Sequence, residues 1–193
     1  MPDGEFVDSA VPHELRERVL AAALDELSRC GVERFSVGAL SARCGIDVDS
    51  VYRYWANSQR LLLDLMSFKS TQTIVAPNTG ALRGDLEAMA LSVGAYLNTS
   101  VGRRLLRAMV MDDQAQRRDD TRGIYWRMRY ETIRTILDQA ALRGELREGI
   151  DHVAGIQILL APINIRALYT DDPIDDAFCL SVAGLAWHAL TRR

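Results

Sequence analysis

Apolar residues recur every three or four positions along almost the whole chain. This spacing places them on one face of an α-helix, whereas a half-buried β-strand would alternate apolar and polar residues. Dipeptides typical of β-hairpin turns are scarce. The pattern therefore predicts an all-α fold of about nine helices.

Capping and helix-breaking residues divide the pattern into segments. Ser36, Asp47 and Asn57 each precede a segment and are favourable N-caps. Gly45 ends the second segment, and the fourth must end before Pro77. The predicted helices span residues 14–30, 37–45, 48–55, 58–76, 82–99, 101–111, 120–143, 151–169 and 175–192.

Residues 36–62 contain two short predicted helices joined by Cys44-Gly45-Ile46. Gly45 tolerates a turn conformation that a side chain would resist, Ile46 fills the angle between the helices, and Ser41 is small enough for close packing. These features predict a helix-turn-helix, whose second helix, residues 48–55, enters the major groove of DNA.

The sequence of this segment resembles the signature of the TetR family over residues 14–65, through Gly45-Ile46-Asp47 followed by Ser50, Val51, Tyr52, Tyr54, Trp55, Asn57 and Leu61. A weaker, independent resemblance to a TetR subgroup runs through Leu82-Arg83-Gly84-Asp85-Leu86, Arg143-Gly144-Glu145-Leu146-Arg147, and Ala161-Pro162-Ile163 with Arg166.

The resemblance implies a homodimeric repressor that binds a palindromic operator in double-stranded DNA and releases it when a small-molecule effector binds. It also implies the domain organisation. We expect a flexible leader over 1–11, a helix-turn-helix domain over 12–57, a linking helix over 58–76, and a ligand-binding and dimerisation domain over 77–193.

The same resemblance places the DNA contacts. Ser50 and Tyr52 would face bases or the groove wall, while Tyr54 and Ser36 would meet phosphates. Arg43 and Arg53 are geometrically plausible donors to phosphate or guanine. The full predicted set is Ser36, Arg43, Val48, Asp49, Ser50, Tyr52, Arg53, Tyr54 and Ser58. Trp55 is instead expected in the core.

Two of these positions depart from the family pattern. Ser58 stands where the family has a lysine, which weakens one phosphate contact, although Ser58 can still donate from the start of helix four. Asp49 stands where the family usually has a glycine, and its carboxylate repels phosphate but accepts from a cytosine amino group. We expect Asp49 to shift sequence preference without abolishing binding.

The C-terminal half offers candidate ligand and dimer residues. Met109, Trp126 and Tyr130 have spacings that suit a cavity lining, although such residues at helical spacing more often belong to the plain core. The last two helices are apolar over more than one stripe, which indicates two packing partners. The predicted dimer interface consists of Ile156, Leu160, Ile163, Phe178, Val182 and Leu185.

Charge leaves a second interpretation open. The formal net charge is −3, and residues 10–60 carry seven arginines against seven acidic residues. Non-specific attraction to DNA should therefore be modest. A helical binding or interaction protein that shares the fold but has lost DNA recognition remains the alternative.

Other function classes find no support in the sequence. The three cysteines are odd in number and widely spaced, which favours free thiols in a reducing cytoplasm. No stretch of apolar residues is long enough to span a membrane. The three histidines lack metal-ligand spacing, and no nucleophile has a convincing partner. We expect no metal, no cofactor and no catalysis.

Overall fold

The computed structural model describes residues 11–31, 34–110 and 121–191, and the predicted leader over 1–11 lies almost entirely outside them. Within these ranges the chain forms nine α-helices and no strand, as the apolar periodicity predicts. They are α1 (His13–Cys30), α2 (Val37–Cys44), α3 (Val48–Tyr54), α4 (Ser58–Thr73), α5 (Leu82–Asn98), α6 (Ser100–Val110), α7 (Thr121–Leu142), α8 (His152–Tyr169) and α9 (Asp176–Leu190).

The three predicted N-caps are confirmed by their hydrogen bonds. The Ser36 hydroxyl accepts from the backbone N–H of Ala39 at 3.4 Å, the Asp47 carboxylate accepts from that of Ser50 at 2.9 Å, and the Asn57 amide oxygen accepts from that of Arg60 at 2.8 Å. Each bond satisfies one of the N–H groups that a helix start leaves unpaired. Local sequence therefore fixes where α2, α3 and α4 begin.

The chain divides into two compact units, the first ending at Leu65 and the second beginning at Met66. In the N-terminal unit, α1, α2, α3 and the first half of α4 surround a small apolar core, which includes Val19, Leu27, Leu40, Val51, Leu61 and Leu65. The first half of α4 thus belongs to this core, whereas the sequence predicted all of helix four as a link between domains.

In the C-terminal unit, α5 and α9 form the most extensive helix pair, and α8 packs against both. A side chain at Gly94 of α5 would place its Cβ only 2.5 Å from the Cys179 Sγ of α9. Only glycine permits this close approach. Burial raises the pKa of the Cys179 thiol, so this cysteine behaves as a small core residue.

Two of the subgroup motifs, far apart in sequence, meet at the start of α5. The fully buried carboxylate of Asp85 accepts from the Thr79 backbone N–H at 2.6 Å and from the Arg143 guanidinium at 3.2 Å. Glu145 accepts from the Leu82 backbone N–H at 2.7 Å and also pairs with Arg143. The loop after α7 thereby caps α5.

Within the described ranges, no helix combines the length and apolar character needed to cross a bilayer.

Candidate nucleic-acid interface

The turn between α2 and α3 has the conformation that the sequence predicts. Gly45 adopts φ 62° and ψ 30°, a left-handed conformation that glycine accepts without steric cost. Ile46 is buried at the angle between the helices, and Ser41 is buried in α2. The backbone N–H of Ile46 donates to the Ser41 carbonyl at 3.3 Å, which closes the turn. This arrangement is a helix-turn-helix.

The second helix of this motif, α3, has one exposed face. Asp49, Tyr52 and Arg53 are exposed, whereas Val51 on the opposite face is buried in the core. Exposed residues one turn apart on a short helix form a surface that fits a DNA groove. All six predicted contact residues of α3 are accordingly exposed or half-buried, the half-buried ones being Val48, Ser50 and Tyr54.

Asp47 and Ser50 form a closed pair at the start of α3. One oxygen of the Asp47 carboxylate accepts from both the backbone N–H and the hydroxyl of Ser50, each at 2.9 Å. The Ser50 hydroxyl and backbone N–H also hold the pKa of Asp47 below its ordinary value. The hydroxyl proton of Ser50 is therefore directed at Asp47, and its lone pairs remain for another partner.

Asp64 makes a three-way contact that holds α4 against the helix-turn-helix, and the local sequence pattern does not reveal it. Asp64 of α4 accepts from Arg16 of α1 at 3.0 Å and 2.5 Å, and from the Trp55 indole N–H at 3.0 Å. Trp55 is buried, as predicted, and its ring lies edge-on to Tyr54 with centroids 6.3 Å apart. Nothing in the local pattern marks Arg16 or Asp64, because they meet across 48 residues of chain.

The structure argues against one predicted DNA contact. Arg43 pairs with Glu26 at 2.5 Å and with Asp25 at 3.3 Å, both on α1. Burial raises the pKa of Glu26, but hydrogen bonds from Cys30 and Arg43 outweigh that effect and hold the pKa below its ordinary value. A guanidinium held by two carboxylates is poorly placed to donate to DNA, so Arg43 is not retained as a contact.

The two predicted contacts outside α3 lie at the starts of neighbouring helices. Ser36 is exposed at the start of α2, where its oxygen accepts from the backbone. Its hydroxyl proton therefore remains available to an external acceptor. Ser58 is the first residue of α4 and is half-buried.

The predicted ligand residues lie on two helices of the C-terminal unit. Tyr130 is half-buried on α7. Met109 and Trp126 belong to α6 and α7, but their side chains lie outside the described part of the structure.

The predicted dimer residues divide into two groups. Ile156, Leu160, Ile163 and Val182 are buried within the chain's own core, so they do not form a surface for a second subunit. Phe178 is half-buried, and the Arg166 guanidinium lies 3.8 Å from the centroid of its ring. Leu185 is 68% exposed. Apolar residues on more than one stripe of α8 and α9 misled the prediction, because one stripe packs inside the protomer.

Elsewhere the surfaces of α8 and α9 expose further large apolar residues, namely Val153, Ile158, Ile165, Tyr169 and Leu180. Apolar spacing alone does not separate these residues from their buried neighbours. Among the residues that the structure describes, no group of three or more His, Cys, Asp or Glu side chains is arranged to hold a metal ion.

Both units match known protein families. Residues 19–65 match the family described as "Bacterial regulatory proteins, tetR family". Residues 76–186 match the family described as "Tetracyclin repressor-like, C-terminal domain". Together these matches cover most of the chain.

Individual proteins give the same result. The chain is 28% identical to the HTH-type transcriptional regulator AqdR of Rhodococcus erythropolis over 160 residues. The aligned region covers 82% of this chain and 77% of that protein. The fold of this chain is similar to that of the TetR family transcription regulator SCO0332, with a TM-score of 0.74 and 23% identity. The match covers 93% of this chain and 100% of that chain.

A second solved structure with a similar fold is that of the transcriptional regulator FadR from Bacillus subtilis, in complex with stearoyl-CoA. The TM-score is 0.69, the identity 15%, and the coverage 88% of this chain and 96% of that chain. With the two family matches, these likenesses establish that the chain belongs to the tetR family of bacterial regulatory proteins, which are helix-turn-helix transcriptional regulators and not enzymes.

Proposed function

We propose that the protein is a repressor that binds a palindromic operator as a homodimer through α3 and leaves it when a small molecule binds the C-terminal unit. The observation that supports this proposal is the exposed face of α3, which the turn after α2 and the Asp47 cap hold in place. The family match over residues 19–65 supports it as well. The protein would act in the cytoplasm, where bacterial DNA is accessible.

The chemistry of α3 supports direct reading of base edges. Arg53 provides a guanidinium that suits the two acceptors of guanine, and Asp49 provides a carboxylate that accepts from the amino group of cytosine. Tyr52, which is 45% exposed, adds a hydroxyl and an apolar ring. Val48 supplies an apolar contact at the start of the helix. The face therefore offers both donors and acceptors to the major groove.

Phosphate contacts would come from the edges of this face. Ser36 at the start of α2 and Ser58 at the start of α4 offer hydroxyl donors, and Tyr54 offers a phenol at the end of α3. Such contacts fix the register of a protein on the duplex without reading sequence. Arg43 is paired with α1 and the charges of residues 10–60 balance, so affinity should depend more on base contacts than on net charge.

The exposed apolar residues of α8 and α9 support a dimer. Ile158 and Ile165 lie two turns apart on α8 and are 43% and 56% exposed, and Leu180 and Leu185 of α9 are 42% and 68% exposed. Exposed apolar surface of this kind on neighbouring helices marks an interaction site. Two helices from each copy would form an isologous interface, which would bring two copies of α3 to half-sites about one helical turn apart.

For the effector, the similar fold of the stearoyl-CoA complex of FadR indicates the first class to test, an acyl-CoA thioester. An effector releases DNA only if it binds the non-binding state of the protein more tightly. Helix α4 begins in the N-terminal unit and ends in the C-terminal unit, which makes it the covalent route for such a response.

The alternative is a helical binding protein that has lost DNA recognition. The balanced charge of residues 10–60 and the pairing of Arg43 with α1 favour it. The two proposals differ in one measurable property, which is sequence-specific binding to DNA.

We would titrate the full-length protein against fluorescently labelled DNA from the region upstream of its own gene, at two salt concentrations, with a scrambled duplex as competitor. The repressor proposal predicts specific binding by two protomers, weakened as salt rises. Arg53→Ala should reduce affinity for the operator by about 1–3 kcal/mol. Arg147→Ala removes the same charge from an exposed loop of the C-terminal unit and should have no effect.

Binding no tighter than to scrambled DNA would refute the repressor proposal and favour the alternative. Once an operator is known, added stearoyl-CoA should release it if an acyl-CoA is the effector. If coenzyme A alone releases the operator, the acyl chain is not required and this effector class is refuted. The class is also refuted if excess stearoyl-CoA releases no DNA.

A further inference from the structure

Ser50 and Asp47 determine more than the start of α3. Ser50 is half-buried beside the exposed Asp49, and its hydroxyl bonds to Asp47 at the protein surface, so Ser50 lies at the edge of the face that would enter the major groove. A serine hydroxyl normally serves as either donor or acceptor toward a base, so it discriminates poorly. In this chain its single proton is already directed at the Asp47 carboxylate, 2.9 Å away.

An acceptor in the groove is a weak competitor for that proton. Hydrogen bonds to an ionised carboxylate are roughly twice as strong as those between neutral groups. The acceptors of guanine and thymine are neutral, and donation to them would require Ser50 to abandon Asp47. The lone pairs of the Ser50 oxygen, in contrast, stay free to accept from an amino group.

We propose that Ser50 is a specificity-determining residue that reads the operator as a hydrogen-bond acceptor only, and so selects adenine or cytosine at one position of each half-site. These are the two bases with an amino group in the major groove. The proposal rests on the proposed function, since it requires α3 to read base edges. It assigns Asp47, which is exposed beside Ser50, a second role as the residue that sets the polarity of Ser50.

The test is a selection of bound sequences from a randomised duplex library, followed by competition titrations with operators that carry each of the four bases at every half-site position. At one position, the wild-type protein should bind operators with adenine or cytosine about three- to tenfold more tightly than operators with guanine or thymine. This difference is the effect of one ordinary hydrogen bond. Ser50→Ala should remove this discrimination at that position and leave the other positions unchanged.

Asp47→Ala provides the sharper test, because it frees the Ser50 proton while retaining the hydroxyl. Guanine and thymine should then bind nearly as well as adenine and cytosine at that position. Asp151→Ala is the matched control, since Asp151 caps α8 by accepting from the Val153 backbone N–H at 2.9 Å. Asp151→Ala removes a helix cap of the same kind about a hundred residues from α3, so the base discrimination should persist in this variant. Circular dichroism of each variant verifies that it is folded.

A selected palindrome whose base preferences are identical in wild type and Ser50→Ala would overturn this inference and leave the proposed function intact. Equal weakening at all four bases by Ser50→Ala would also overturn it, because Ser50 would then contact phosphate. A library from which nothing is enriched over scrambled DNA would refute the proposed function itself.

Discussion

Replacing Asp64 by alanine tests whether one carboxylate holds α4 to the helix-turn-helix. Asp64 receives two hydrogen bonds from Arg16 of α1 and one from the Trp55 indole at the end of α3. Alanine removes the acceptor for all three bonds while leaving the apolar core of the N-terminal unit in place. The unit should then lose stability and the fixed orientation of α3.

The magnitude follows from burial. Trp55 is only 4% exposed, so an indole N–H left without an acceptor costs about 1–3 kcal/mol. The Arg16 and Asp64 side chains are 33% and 22% exposed, and a pair so close to solvent contributes at most about 1 kcal/mol. We therefore expect Asp64→Ala to lower the free energy of unfolding by about 1–4 kcal/mol, the sum of the two contributions. Asp64→Asn keeps an oxygen for the indole and should lose about 1 kcal/mol.

The assay is urea unfolding followed by far-UV circular dichroism, at one fixed protein concentration because the proposed dimerisation would contribute to apparent stability. A double-mutant cycle with Trp55→Phe isolates the indole bond, since Asp64→Ala in that background loses only the Arg16 contacts. A loss below about 0.5 kcal/mol for Asp64→Ala, or an equal loss in both backgrounds, would refute the reasoning.

Three further predictions concern other parts of the chain. Asp85→Ala leaves Arg143 and the Thr79 backbone N–H without their buried partner, and should lower the free energy of unfolding by about 3 kcal/mol, measured by urea titration. Folding lowers the pKa of Glu26, so ionised Glu26 stabilises the folded state above the ordinary value of 4.5, and this stabilisation is lost as pH falls through the folded pKa. In acid titrations the stability of Glu26→Gln should therefore depend less on pH below 4.5 than that of the wild type. Leu185→Glu should shift the proposed dimer toward monomer in sedimentation experiments. The matched change at Leu142, which is 89% exposed at the end of α7, should not. A dimer that Leu185→Glu leaves unchanged would place the interface elsewhere.

The sequence alone determines the helices and the helix-turn-helix, because their signals are local. Apolar spacing places α1 to α9 within a few residues of their observed bounds, and Ser36, Asp47 and Asn57 cap the helices they precede. The turn at Gly45 requires a conformation that its own residue type permits. Caps and turns involve partners only a few residues away, so a linear reading suffices to find them.

The tertiary structure alone decides which side chains remain available for function. Arg43 is paired with α1, and Asp64 meets Arg16 across 48 residues of chain, so neither fact is visible in a local pattern. The same holds for α8 and α9, where Ile163 is buried and Ile165 is 56% exposed although both are isoleucines of one apolar helix. The spacing of apolar residues shows that such a helix has more than one apolar side, but only the packing of its neighbours determines which side is left for another molecule.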